Sequence, residues 1–261
     1  MAGPLPDLSR CRILLSNDDG IHAPGFAALE RIARSLSDDV WVCAPESEQS
    51  ATSHSLTIHR PLRLRQHGER RFAVDGTPTD CVLLAINHIL KDRKPDLVLS
   101  GVNAGANIGD DVTYSGTIAA AMEATLLGVR AIALSQDYDR AAGPADFAPA
   151  ERWAPDVVRR AAAVEWPANT LVNVNFPAGP AESVGPVQVV RHAKHKLDDE
   201  VEMRTDPRGR QYFWIGPVRS LDDVAEDTDI AVVKSGGIAV TPLYLDLTHH
   251  GMVQSLRQAL A

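Results

Sequence analysis

Arg12-Ile-Leu-Leu-Ser-Asn-Asp-Asp-Gly20 is a short apolar run that ends abruptly in turn-forming and acidic residues. Such a run reads as a buried strand feeding a loop. Pro24 follows where a helix can begin, because its missing N–H costs nothing in a first turn. Phe26, Leu29, Ile32, Ala33 and Leu36 then recur at helical spacing and form one apolar stripe. Residues 40–44 are a second apolar run, closed by Pro45. Strand, helix and strand in that order open a parallel α/β sheet.

The alternation continues down the chain. Residues 56–58, 62–64 and 72–74 read as short strands with charged residues interleaved, a hairpin or edge excursion. Thr77-Pro-Thr-Asp80 opens a helix whose buried face is expected from Leu83, Ile86, Ile89 and Leu90. Residues 97–99 form a buried strand, and the loop after it runs to about Ser115. A small-residue helix over 118–127 is stopped by Gly128, and 131–134 is another central strand. Residues 137–149 read as a loop, 153–164 as a helix and 171–174 as a strand. Further strands are expected at 187–190, 212–215 and 238–241, with antiparallel pairing, and a short helix at 253–260. Residues 194–210 are charged without a clear period, so they form an exposed hairpin or arm, or a solvated loop. The expected fold is α/β: a doubly wound, mostly parallel sheet with a C-terminal antiparallel hairpin or arm.

Composition narrows the function classes. The chain has 261 residues, enough for one large α/β domain with a sizeable core. No window approaches the roughly 20 apolar residues that span a bilayer, so no membrane partner is expected. The first ten residues lack an apolar core and read as a frayed tail, not a signal peptide. A formal net charge of -8 argues against a nucleic acid as a stable partner, since such binding is driven by phosphate neutralisation. An acidic protein that handles phosphates is expected to use a metal ion and backbone amides instead of a lysine field. Cys11, Cys43 and Cys81 have no close pair and read as buried thiols in a reducing, cytoplasmic compartment.

Four polar stretches follow apolar runs, and in a parallel sheet all strand ends open on one edge. In the first, Asp18 and Asp19 are adjacent carboxylates, which repel unless a cation or strong donors lie nearby. Hard divalent ions take such oxygen ligands. Asn17-Asp-Asp-Gly20 is equally good turn chemistry, and both readings stand at this point. The third stretch, Ser100-Gly-Val-Asn-Ala-Gly-Ala-Asn-Ile-Gly-Asp-Asp111, can bring backbone close to a ligand and turn its N–H groups inward. Its glycine spacing fits neither a dinucleotide fingerprint nor a P-loop. Tyr114-Ser-Gly-Thr117 meets the start of an alanine-rich helix, where N–H groups suit a phosphate or a plain N-cap. The second stretch, residues 45–55, is a long polar loop in which Ser50 could reach a metal or a phosphate. His54 and His59 are possible acids or phosphate donors that read first as bystanders to the chemistry, as does His22 near the Asp pair, and His192 with His195 does not make a zinc site.

Taken together, these residues resemble the SurE family of survival-protein nucleotidases. The resemblance rests on Ile13-Leu-Leu-Ser-Asn-Asp-Asp-Gly-Ile21, Ala44-Pro45, Ser50, Ser55-Leu-Thr57 and Val74-Asp-Gly-Thr-Pro-Thr-Asp-Cys81. It extends through 100–111 and Tyr114-Ser-Gly-Thr117 to Ile230-Ala231 and Gly236-Gly-Ile-Ala-Val-Thr-Pro-Leu243. It implies a metal-dependent phosphomonoesterase, a 5′-nucleotidase acting on nucleoside 5′- and 3′-monophosphates, and for some members short polyphosphate. It implies one divalent cation per subunit, Mg²⁺ or Mn²⁺, on Asp18, Asp19, Ser50 and Asn103, with Asp18 and Asp19 also catalytic. Asn107, Ser115, Gly116 and Thr117 would face the phosphate. A Rossmann-like core follows, as one domain over 1–261 with its core at about 12–190 plus 230–261. The arm at about 191–229 would serve a homodimer or homotetramer that exchanges C-terminal elements. The chain departs from the family at Glu46 and Glu48, where Arg or Asn is usual. A sugar-phosphate or polyphosphate phosphatase and a non-catalytic nucleotide sensor are the alternatives.

Overall fold

Ile13, Leu14 and Leu15 are all buried, so the first strand is covered on both faces, as a central parallel strand must be. The computed structural model describes residues 3–194, 201–215 and 224–261. They run β1 (Arg12–Ser16), α1 (Pro24–Arg34), β2 (Asp39–Pro45), β3 (Leu64–Gly68), β4 (Arg71–Val74) and α2 (Pro78–Leu84). Then come β5 (Leu97–Ala104), α3 (Gly116–Leu126), β6 (Arg130–Gln136), α4 (Ala148–Ala162), β7 (Thr170–Phe176) and β8 (Val187–Val189). The chain ends with β9 (Val201–Thr205), β10 (Gln211–Ile215), α5 (Asp229–Lys234), β11 (Ile238–Tyr244) and α6 (His250–Ala259). His195 and the other residues of the expected arm at 196–200 and 216–223 lie outside the described residues.

The large sheet has the order β3-β4-β2-β1-β5-β6-β7-β11-β8. From β4 to β7 every neighbouring pair is parallel. Side chains alternate between two apolar layers. Ile13, Leu15, Leu97, Leu99, Ile132 and Leu134 pack with α1 and α4. Leu14, Val98, Ala131 and Ala133 pack with α2 and α3. Burying each large aliphatic side chain contributes about 1.5–3 kcal/mol. The chain leaves β1 toward β2 and β4, then returns to lay β5 on the other side of β1. That reversal opens a crevice beyond the carboxyl ends of β1 and β5, where α/β proteins bind ligands.

Several elements differ from the sequence reading. Residues 56–58 are not a strand, because polar side chains at the entrance of α2 take backbone groups of Ser55 and Thr57. Asp80 accepts the N–H of Thr57 at 3.0 Å, and Thr77 donates to the carbonyl of Ser55 at 2.7 Å. Residues 62–63 stay irregular too; Arg63 gives its N–H to Asp75 at 2.7 Å. β5 runs on to Ala104, since Asn103 and Ala104 still pair with Ser135 and Gln136 beyond a bulge. After Leu84 the helix widens into a π turn, which shifts the buried face to Cys81, Val82, Ala85, Ile86 and Leu90. Leu83 and Ile89 are only half-buried. α4 begins at Ala148, with Pro149 in its first turn, ahead of the expected start. β8 pairs parallel to β11, not antiparallel, because the excursion through β9, β10 and α5 returns the chain to the same end. β11 itself is antiparallel to β7. β9 and β10 form a separate antiparallel hairpin, as the charged segment suggested. All three cysteines are free and buried.

Candidate active site

Asp18 and Asp19 follow β1 directly, at the edge of the crevice. Asp18 is almost fully buried. Thr117 Oγ1 donates to its Oδ1 at 2.5 Å, and the N–H groups of Gly116 and Thr117 also bond the carboxylate. Burial pushes the Asp18 carboxyl up, and those donors pull it partly back. The positive end of α3 adds to that pull. Gly116 is required by contact: a Cβ there would lie 2.7 Å from the Cβ of Asp18 and 2.9 Å from its Oδ2. Ser115 caps α3, its Oγ accepting the N–H of Ile118 at 3.1 Å, which leaves its own O–H to donate elsewhere. Asp19 is half-buried, and burial followed by the charge of Asp18 raises its carboxyl to about 7. Two neighbouring carboxylates in this state are a site that a cation would neutralise.

The remaining oxygens come from two other strand ends. Ala104 donates its N–H toward Asp19 Oδ2 at 3.4 Å, which brings the end of β5 beside the pair. Asn103 commits its Nδ2 to the carbonyl of Gly105 at 2.8 Å, leaving its side-chain oxygen as the ligand-type atom. The polar loop after β2 folds over the first loop: Gln49 donates its N–H to the carbonyl of Asp18 at 2.7 Å. Ser50 is the next residue, but its exposed hydroxyl donates to Glu48 at 2.9 Å and not to either aspartate. Glu46 of the same loop pairs with Arg65. Among the described residues, no three His, Cys, Asp or Glu gather as a metal cluster. An ion here would therefore rest on the two carboxylates and neutral oxygens, a donor set that fits a hard divalent cation.

The glycine-rich loop is built otherwise than its sequence suggested. Its alternate N–H groups are spent inside the protein: Gly105 on the carbonyl of Gln136 at 2.9 Å, Asn107 on Asn175 at 2.8 Å, Gly109 on Asp229 at 3.1 Å. Such amides must be paired, and β6, β7 and α5 supply the acceptors. Gly101 serves packing, since at φ +134° its ideal Cβ would lie 2.2 Å from the carbonyl oxygen of Leu134. Asn107 is buried and directs Nδ2 to Ser135 Oγ at 2.8 Å. The structure thus joins Asp18, Gly116 and Thr117 directly, with Asp19 the next residue along. It sets Asn103 and Ser50 beside them, and it holds Asn107 in a second network.

Sequence reasoning missed that second network: Ser135, Asn173, Asn175, His192 and Asp229. A signal existed, because two asparagines on one face of an apolar strand are unusual unless bonded. His54 has a structural contact that the sequence did not suggest. Its Nε2 lies 2.9 Å from the buried Glu123 of α3, and Ser53 donates to the carbonyls of Tyr114 and Thr113 at 3.2 and 2.8 Å. These bonds tie the polar loop to the start of α3. His22 is exposed and stands edge-on to His67, with ring centroids 6.0 Å apart.

The family model described as survival protein SurE matches residues 13–199. A protein of Paramagnetospirillum magneticum named 5′-nucleotidase SurE is 58% identical over 256 residues, covering 98% of each chain. One of the same name from Rhodospirillum rubrum is 54% identical, covering 99% of this chain and 100% of its own. The crystal structure of the SurE protein from Aquifex aeolicus superposes with a TM-score of 0.84 at 38% identity, covering 96% of this chain and 100% of that one.

Proposed function

This chain belongs to the SurE family, and on that premise we propose that it is a metal-dependent 5′-nucleotidase, releasing phosphate from nucleoside 5′-monophosphates. The observation that carries the reading is the Asp18–Asp19 pair at the β1/β5 crevice, with Asp18 clamped by the start of α3. Asp18, Asp19, Ser50 and Asn103 would hold one divalent ion per subunit, Mg²⁺ or Mn²⁺, with Ser50 turning from Glu48 to do so. When bound, such an ion polarises a phosphoryl oxygen and acidifies water.

The chain's own groups do the rest. Asp19, the more exposed of the pair, orients the attacking water. Asn107 and Ser115 meet the phosphoryl oxygens through side-chain amide and hydroxyl donors. Gly116 and Thr117 border the phosphate and, through their bonds to Asp18, also fix the metal-side carboxylate. Fixed donors aimed at developing charge supply much of such a rate. These contacts address only the phosphate, so nucleoside 3′-monophosphates and short polyphosphate belong to the proposed range.

The proposed assembly is a homodimer or homotetramer. Val201, Met203, Phe213 and Ile215 share one face of the β9–β10 hairpin and are all exposed. An apolar face of that kind suits a second copy of the chain. Free thiols fit a cytoplasmic setting, and no helix among the described residues is long and apolar enough to cross a membrane.

The test is a phosphate-release screen across nucleotides, sugar phosphates and polyphosphate, run with each cation and with chelator. Metal-dependent release that is strongest with nucleoside 5′-monophosphates supports the reading. Binding of a monophosphate without release in any cation would leave a sensor, not an enzyme.

A further inference from the structure

Asn107 is gripped on both of its backbone polar groups by side chains that the proposed chemistry does not use. Asn175 Oδ1 accepts its N–H at 2.8 Å, and Asn175 Nδ2 donates back to its carbonyl at 3.1 Å. One side-chain amide thus does for this residue what a neighbouring strand does in a ladder. Asn173, two residues earlier on the same face of β7, donates to the same carbonyl at 2.8 Å. Gly109 is held alike, its N–H on Asp229 at 3.1 Å and its carbonyl taking the His192 ring N–H at 2.7 Å.

Asn173, Asn175 and Asp229 are each fully buried. Burying a polar side chain costs free energy that its hydrogen bonds only offset, so a core built for stability alone would use aliphatic residues here. Three buried polar groups converge instead on two residues of one loop. That loop has no N–H left at Gly105, Asn107 or Gly109 for an anion. The group of residue 107 still open to a phosphate is its side-chain amide, whose direction is set by the backbone of residue 107 and by Ser135.

We infer that Asn175, supported by Asn173, is a positioning residue for phosphate, acting through Asn107. The inference rests on the phosphatase reading of this site. The test uses the full chain with Mn²⁺ and AMP. Turnover, competitive inhibition by inorganic phosphate and Mn²⁺ affinity are measured for the wild type, Asn175→Ala, Asn107→Ala, the double variant and Ser135→Ala. Asn175→Ala should weaken phosphate inhibition and kcat/KM by roughly 10–100-fold, the scale of a displaced contact. Mn²⁺ affinity should stay within about two-fold, and the Asn175 effect should vanish when Asn107 is already alanine.

Ser135→Ala leaves the backbone grip intact and should give a smaller loss of the same phosphate-specific kind, which decides the matter if Asn175→Ala does not fold. Full additivity with Asn107→Ala would overturn the inference. So would parallel loss of Mn²⁺ affinity, or unchanged phosphate inhibition in both Asn175→Ala and Ser135→Ala. A wild type that neither releases nor is inhibited by phosphate would instead overturn the phosphatase reading itself.

Discussion

Asp19 sits where one residue's chemistry sets a property of the whole chain. In the folded, metal-free protein its carboxyl keeps a proton up to about pH 7, against an ordinary value of 3.8. The folded state therefore binds more protons than the unfolded state between those values. This protonation stabilises fully below about pH 4 and is lost as the pH rises to about 7. Urea unfolding of chelator-treated protein should show that decline, and Asp19→Asn, uncharged throughout, should flatten it. A metal ion competes with the same proton, so Mn²⁺ affinity should fall by about tenfold per pH unit below 7, where one proton must leave. A slope unchanged in Asp19→Asn would assign the proton elsewhere. Gly116 is the second sensitive point. Alanine is a better helix former than glycine, yet its Cβ would press on Asp18 from 2.7 Å. Gly116→Ala should therefore cost on the order of 10² in kcat/KM and also lower Tm, because the Cβ forces the buried Asp18 carboxylate, the proposed metal ligand, to move. The Asp pair was legible as adjacent carboxylates after an apolar run. The clamp on it was not, because Gly116 and Thr117 lie about a hundred residues away and Ser-Gly-Thr reads locally as a cap.

At the scale of elements, local chemistry decided what could be foreseen. α1 and the parallel strands were legible because apolar period and turn residues agree at Pro24, Pro45 and Gly128. Residues 56–58 were not, since the Thr57 N–H goes to Asp80 and the preceding Ser55 carbonyl to Thr77, a tertiary arrangement with no local trace. Thr77 and Asp80 form a full capping box at the start of α2. Thr77→Ala should lower stability by about 1 kcal/mol, read as a shift of the urea midpoint, with Mn²⁺ affinity unchanged. A loss of metal affinity in that variant would mean that α2 communicates with the site. The glycine-rich loop carries the opposite lesson. Its composition promised open N–H groups, whereas acceptors on β7 and α5, far along the chain, consumed them.

For the whole molecule, the parallel sheet does one thing above all: it places the end of β1 beside the end of β5 and aims α3 at both. The hairpin stands outside that core, and its apolar face should be covered in the assembled protein. Phe213→Asp should lower the oligomeric order seen by light scattering and spare turnover per subunit; an unchanged mass would remove the hairpin from the interface. That the sheet is mostly parallel could be read from the alternation of strand and helix. The parallel placing of β8 beside β11 could not, since it depends on a long excursion whose return direction no local pattern records. The crevice matters only if its paired aspartates take up a cation and use it. Phosphate release from AMP by chelator-stripped protein, titrated with Mn²⁺ alongside Asp19→Asn, asks this most directly. The wild type should be silent until Mn²⁺ is added and then saturate, with Asp19→Asn silent throughout. Undiminished release in the stripped wild type, or a normal titration by Asp19→Asn, would contradict it.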